Sequence, residues 1–179
     1  MTFSNPAGQA TAAASGYVRA LLDLLGTREP LDVLPELLPW LRGRVSRVDD
    51  AMLRRPERPG KWSVIEVVQH LADSELVMGF RIRMVLASDR PPLQGYDQDQ
   101  WVRELRYREV PTATALNQLA GQRDSNLALA RRMSPATLER VGLHSERGEE
   151  SVALMLRLMA GHDLVHRRQI DRILEAVTR

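Results

Sequence analysis

The stretch Leu158-Met159-Ala160-Gly161-His162-Asp163-Leu164-Val165-His166 decides how the chain is read. Advanced at about 100° per residue, as an α-helix advances, it belongs to one broad apolar stripe. Met155, Leu158, Met159, Ile170, Ile173 and Val177 lie in that stripe, with His162, His166 and Gln169 set among them. Arg157, Arg168, Asp171 and Glu175 fall on the opposite side. Such a pattern marks a long amphipathic helix with one face turned to a core. Residues four apart project from the same face one above the other, so both imidazoles point inward. A buried imidazole needs a partner at each ring nitrogen, because leaving one unsatisfied costs on the order of 1–3 kcal/mol. A metal ion backed by an outer acceptor meets that need. Ordinary hydrogen bonds between core side chains meet it too.

Helical period dominates the rest of the chain, and no convincing alternating strand is found. Tyr17 to Leu25 reads as a short amphipathic helix stopped by Gly26, and Pro30 to Val48 as helical with interruptions at Pro35 and Pro39. Arg54-Arg55-Pro56-Glu57-Arg58-Pro59-Gly60 is a turn-rich connection. Ser63 followed by Glu66 has the form of a capping box and opens a helix to about Ser88, ended by Asp89-Arg90-Pro91-Pro92. Pro111 begins the next helix, to about Met133; Ser134-Pro135 starts a short helical turn; Gly142 to Gly148 reads as a loop; the last helix runs from Glu150 to Val177. The connection from Asp89 to Val110 is long for a bundle, where roughly 2–8 residues is usual, and such a crossover lets consecutive helices lie parallel. The expected fold is therefore all-α. It is a four-helix bundle with a long crossover between the second and third bundle helices and an extra N-terminal helix. Residues 16–179 are expected to form one domain behind a flexible N-terminus of residues 1–15.

A chain of 179 residues is long enough to bury its own core. It has no cysteine, which excludes disulfides, cysteine–zinc sites and a protein thiol nucleophile. Met1 to Ser15 lacks both a basic start and an apolar run, so no secretory signal is read there, and no segment approaches the length of a membrane span. The expected address is the cytoplasm. Lys61 is the sole lysine among 25 basic residues; the arginines alternate with Asp and Glu, and the net charge is only +2. With aromatics at 4%, neither a basic stripe nor stacking platforms support nucleic-acid binding.

His70 falls on the capped helix, in a strip with Glu66, Asp73, Ser74, Val77 and Arg81 between two apolar rows. That strip is either a solvent face or the polar lining of a pocket inside the bundle, where metal sites are commonly built. The run Pro59-Gly60-Lys61-Trp62-Ser63-Val64-Ile65-Glu66-Val67-Val68-Gln69-His70-Leu71-Ala72-Asp73-Ser74-Glu75 resembles the first signature of the DinB-like (YfiT-type) metalloenzyme family. Gly95-Tyr96-Asp97-Gln98-Asp99-Gln100-Trp101 resembles its middle loop, and Gly161-His162-Asp163-Leu164-Val165-His166-Arg167-Arg168-Gln169-Ile170 its closing histidine helix. The match spans roughly residues 30 to 177 and leaves the earlier extension unaccounted for.

The resemblance implies that His70, His162 and His166 ligate one divalent metal, zinc or nickel being usual in the family. Three neutral imidazoles suit zinc, nickel, copper or iron on chemical grounds and leave a position open. Around them, Asp73 is a candidate base or orienting carboxylate, with a plain surface carboxylate as the alternative. Arg123 is a candidate anion anchor or a member of a buried ion pair. Tyr96 and Trp101 are candidate pocket walls, while His144 reads as a solvated loop histidine. Family relatives include S-transferases that use bacillithiol or mycothiol, and metal-dependent hydrolases. The expected function is thus a thiol-dependent S-transferase acting on a small-molecule electrophile. A metal-dependent hydrolase and a non-catalytic metal-binding protein of the stress or damage response are the alternatives. Family members are often dimers, so a homodimer is expected.

Overall fold

The computed structural model describes residues 10–179, with side chains from residue 16 onward. In chain order it contains α1 (Ala10–Leu25), α2 (Pro30–Val33), a 3-10 turn (Leu34–Glu36), α3 (Leu37–Val45), α4 (Asp50–Leu53) and α5 (Val64–Ala87). The crossover follows, with β1 (Pro92–Leu93), α6 (Gln98–Glu104) and a second 3-10 turn (Tyr107–Glu109). After it come α7 (Thr112–Ala130), α8 (Pro135–Leu138), β2 (Val141–His144), β3 (Gly148–Ser151) and α9 (Val152–Val177). Among the described residues, no helix is long and apolar enough to cross a membrane.

The three stretches of strongest helical period become the long inner helices. α5 packs against both α7 and α9, α1 lies along α9, and α3 closes the bundle against α7 and α9. Every residue from 64 to 73 is buried. That stretch is the central element, so the strip through Glu66 and His70 is the lining of an interior and not a solvent face. Its start is the expected capping box, with the Glu66 carboxylate accepting the Ser63 backbone N–H at 2.7 Å. At the start of α9, the Ser151 hydroxyl accepts the Leu154 N–H at 3.1 Å.

Apolar side chains gather in two clusters, one toward each end of the bundle. Leu37, Leu41, Val64, Ile65, Val68, Leu119, Ile170 and Ile173 belong to the first. Leu25, Leu34, Ile82, Val85, Leu127, Val152, Met155 and Met159 belong to the second. Between them the three long helices contribute a buried polar stratum: His70, Asp73 and Glu75 from α5, Arg123 and Asn126 from α7, Asp163 and His166 from α9. Close packing near this level depends on Gly161, where an added Cβ would lie 2.5 Å from the Leu21 carbonyl oxygen of α1.

Four local expectations are corrected. α1 begins at Ala10 and not at Tyr17; of the segment expected to be flexible, residues 1–9 lie outside the described residues and 10–15 are helical. Pro35 does interrupt the second helical region, but Pro39 does not, because it is the third residue of α3, where no intrahelical N–H bond is lost. The Gly142–Gly148 loop is instead a hairpin, β2 antiparallel to β3, and β1 from the crossover adds in parallel to β2. Strands this short give alternation too few residues to register. Finally, His144 is buried and not solvated, because the hairpin folds Gly142 and His144 inward and leaves Leu143 outside.

Candidate metal centre

His162 and His166 project from one face of α9 as their spacing dictates, and the packing of α5 on α9 brings His70 to the same point. The Nε2 atom of His162 lies 3.1 Å from His70 Nε2 and 3.0 Å from His166 Nε2. One ligand nitrogen from each ring falls within 4.8 Å of the others. Three rings meeting through the same type of nitrogen are an awkward hydrogen-bonded cluster, since each neutral ring holds a single N–H and cannot satisfy two neighbours. They form a natural ligand set: nitrogens at 2.0–2.1 Å from a tetrahedral zinc are separated by about 3.3 Å. The three can hold one metal ion.

The surroundings favour the neutral, ligating form of each ring. His166 Nδ1 lies 2.7 Å from the Gln169 side-chain oxygen, which accepts its proton and leaves the Nε2 lone pair facing the other two. Burial is the main force lowering all three pKa values. His166 is pushed down to about 4, and His70 and His162 are driven well below the ordinary imidazole value, with help from neighbouring imidazoles. The indole of Trp62 packs on His70 with ring centroids 5.0 Å apart and is anchored by its own N–H to Asp99 at 3.1 Å. Ser74, one turn beyond His70, sits 3.4 Å from His70 Nε2 and 3.1 Å from the Tyr96 hydroxyl.

The other residues singled out in the sequence are distributed differently from the expectation. Asp73 is buried beside the triad, but its two oxygens take the Tyr107 hydroxyl at 2.5 Å, Gln118 at 2.7 Å and Gln69 at 3.1 Å. It orients no imidazole by any of these bonds, and Tyr107 meets it from the far end of the crossover. Arg123 is a buried ion-pair member and not an anchor facing a pocket. Its guanidinium reaches Glu75 at 2.9 Å, Asp163 at 2.7 Å and the Leu34 carbonyl at 2.5 Å. Asn126 completes the group by donating to Glu75 at 2.8 Å. The Tyr96 hydroxyl lies 3.1 Å from that of Ser74, beside the cavity that reaches His162, and Trp101 packs on the Tyr96 ring at a centroid separation of 4.4 Å.

The triad is flanked by two spaces. A narrow cavity of about 90 Å³ reaches His162 and runs between α1, α5, α9 and the hairpin. A wide groove of about 840 Å³ reaches His166 and Gln169 from the other side, past Trp62 and Arg103. Gln169 and Ser74 were within reach of sequence reasoning, being one turn from a histidine on the same stripe. Trp62, Gln118 and Tyr107 were not, because only tertiary packing brings them here.

Comparison with known proteins agrees with this architecture. Residues 40–170, most of the chain, match the DinB superfamily. The chain belongs to the DinB superfamily. Among curated DinB relatives, a protein of Oceanobacillus iheyensis named "Putative metal-dependent hydrolase OB0413" is 29% identical over 122 residues, covering 68% of this chain and 70% of the relative. YfiT from Bacillus subtilis, a four-helix bundle of unusual topology, superposes with a TM-score of 0.73 at 21% identity, over 97% of this chain and 92% of that one. A mycothiol-dependent maleylpyruvate isomerase superposes with a TM-score of 0.66 at 12% identity, over 87% and 68% respectively. At these identities the two structures share the DinB fold with this chain.

Proposed function

We propose that this DinB-superfamily protein is a metal-dependent enzyme that transfers a low-molecular-weight thiol, of the bacillithiol or mycothiol kind, to a small electrophile. His70, His162 and His166 hold the metal, zinc or nickel foremost and iron by the same ligand chemistry. When bound, the metal supplies Lewis acidity, lowering the pKa of a coordinated thiol or water toward neutrality.

One observation carries the choice of thiol over water. Every carboxylate near the triad is already occupied: Asp73 by Tyr107, Gln69 and Gln118; Glu66 by Ser63 and Arg108; Glu75 and Asp163 by Arg123. None of these four carboxylates is left free to act as a general base for water attack, and a thiol, with its lower pKa, needs less help in losing its proton. The protein's own part is to bind and to exclude water. Gln169 keeps the His166 proton on Nδ1, Trp62 covers His70, and Ser74 with the Tyr96 hydroxyl offers donors at the mouth of the site. The thiol dependence of the distant isomerase supports this reading. The names of the sequence relatives favour hydrolysis at the same centre as the second reading.

The experiment is a paired assay on the metal-loaded protein. An electrophile such as a monochlorobimane-type probe is supplied with bacillithiol or mycothiol, and nitrophenyl esters are supplied without thiol. Metal-dependent consumption of the electrophile only in the presence of thiol is the expected result. Ester cleavage without thiol would establish the hydrolase instead. Retained turnover in His166→Ala, with helicity preserved, would overturn both.

A further inference from the structure

The cavity that reaches His162 has a second end, and that end is built. It follows α5 from Leu71 and Ser74 to Arg81, about 15 Å along the helix axis at 1.5 Å per residue. At its far end the hairpin contributes His144, Glu146 and Arg147. His144 is only 4% exposed; its Nδ1 accepts the backbone N–H of Glu146 at 3.1 Å. The neutral ring therefore carries its proton on Nε2, and that buried N–H has no acceptor among the described residues. Burial and the neighbouring Arg147 and Arg81 push the His144 pKa down to about 4, against the pull of Glu150, so the ring is the neutral tautomer.

Arg81 is the second unanswered group. It is 6% exposed, donates to the Gln94 carbonyl and to the Met78 sulfur at 3.7 Å, and forms no ion pair among the described residues. Sulfur is a weak acceptor, and a buried cation lacking a counter-charge is costly. Of the other charged groups on the hairpin, Arg147 and Glu150 neutralise each other. Glu150, Tyr96 and Glu146 act on Arg81 electrostatically, against burial and Arg147. One cavity wall thus presents a buried guanidinium and a buried imidazole N–H, both short of an acceptor.

We propose that this end of the cavity is a carboxylate anchor, Arg81 supplying charge and His144 Nε2–H a directed donor, so that the substrate is a short-chain acid. The second half of the statement rests on the metal-centred function: a molecule held by its carboxylate between Arg81 and His144 extends along α5 in the direction of His162. The cavity's 90 Å³ is several times the ~10–15 Å³ needed to hold one water and suits a chain of a few carbons. A single uncompensated cation matches a single carboxylate charge better than a phosphate dianion.

Calorimetric titration of the full-length protein with butyrate and with its neutral isostere butyramide tests the anchor, in both zinc-loaded and chelator-treated samples. Butyrate is expected to bind at least tenfold more tightly than butyramide in both samples. Arg81→Met should remove that preference, and His144→Phe should weaken butyrate severalfold. In ¹⁵N-histidine spectra the Nε2 resonance of His144 should move on addition of butyrate. Equal affinity for acid and amide, tighter binding of inorganic phosphate, or unchanged butyrate affinity in Arg81→Met would each overturn the proposal. The last outcome with a lowered Tm would reduce Arg81 to a staple for the crossover carbonyl. If Arg81→Met does not fold, Arg81→Lys keeps the charge but not the fork; a severalfold loss of butyrate affinity is expected, and no loss overturns the anchor. A chain that binds butyrate as described but takes up no metal would sink the metal reading and leave the anchor standing. Uptake of metal without the acid preference would do the reverse.

Discussion

Replacing Arg123 with methionine should leave the shape of the core nearly unchanged while stranding two carboxylates. In the native protein the guanidinium lies 2.9 Å from Glu75 and 2.7 Å from Asp163, with side-chain exposures of 3%, 2% and 3%. Breaking a buried ion pair by removing one partner costs about 3–5 kcal/mol, because the remaining charge is left without compensation. For a chain of this length, 1 kcal/mol moves the melting temperature by about 2–4 °C, so a fall on the order of 10 °C is expected. The pH dependence identifies the cause. In the native fold burial already raises the Asp163 pKa to about 6 against the pull of Arg123; without Arg123 it rises further, so above about pH 6 the folded variant binds more protons than the folded wild type. Its deficit relative to wild type must therefore shrink as pH falls from 7.5 toward 6. Urea denaturation followed by circular dichroism at both pH values measures this directly; the contributions of His70 and His166 cancel in the difference, and relief of His162 from the Arg123 charge acts in the same direction. A deficit below 1 kcal/mol at pH 7.5, or one that does not shrink on acidification, would refute the reasoning.

Three further outcomes follow from the same geometry. Gln169→Leu removes the acceptor at His166 Nδ1 and should weaken zinc binding by about 10–100-fold with little change in fold, as read by competition with a chromogenic chelator. The metal-free protein should lose stability as pH falls from about 6.5 to about 4. His166, held near 4 in the fold, stays neutral while the unfolded chain takes up a proton, at a cost on the order of 3 kcal/mol; denaturation midpoints independent of pH in that window would contradict its burial as a neutral ring. Gly161→Ala should cost about 1–3 kcal/mol, since the new Cβ would meet the Leu21 carbonyl, a backbone atom that cannot swing aside; a thermal scan showing no change would mean that α1 does not seat on α9 as described.

The helices and the His162–His166 pair were legible in the sequence because each is set by local periodicity. Spacing places His162 and His166 on one face of α9, and the Ser63–Glu66 box marks where α5 starts. The third ligand was reachable only through resemblance, since His70 on its own stripe fits a solvent face as well as a pocket. What the sequence hid is long-range pairing. Asp73 is engaged by Gln118 and Tyr107, and Arg123 by Glu75 and Asp163, partners that lie 34 to 48 positions away along the chain. His144 looked solvated because its burial depends on β1 arriving from the crossover to pair with β2, and neither strand has enough residues to show alternation.

The polar stratum between the two apolar clusters also governs alignment. Oil against oil tolerates sliding: a shift of α9 along α5 by one turn, about 5.4 Å, would still set leucines and isoleucines against one another. It would also separate His162 from His70 and pull Asp163 away from Arg123. The side chains that gather the ligands therefore act as the notch that locks the long helices at one height, and fidelity of assembly and competence of the centre are tested by the same match.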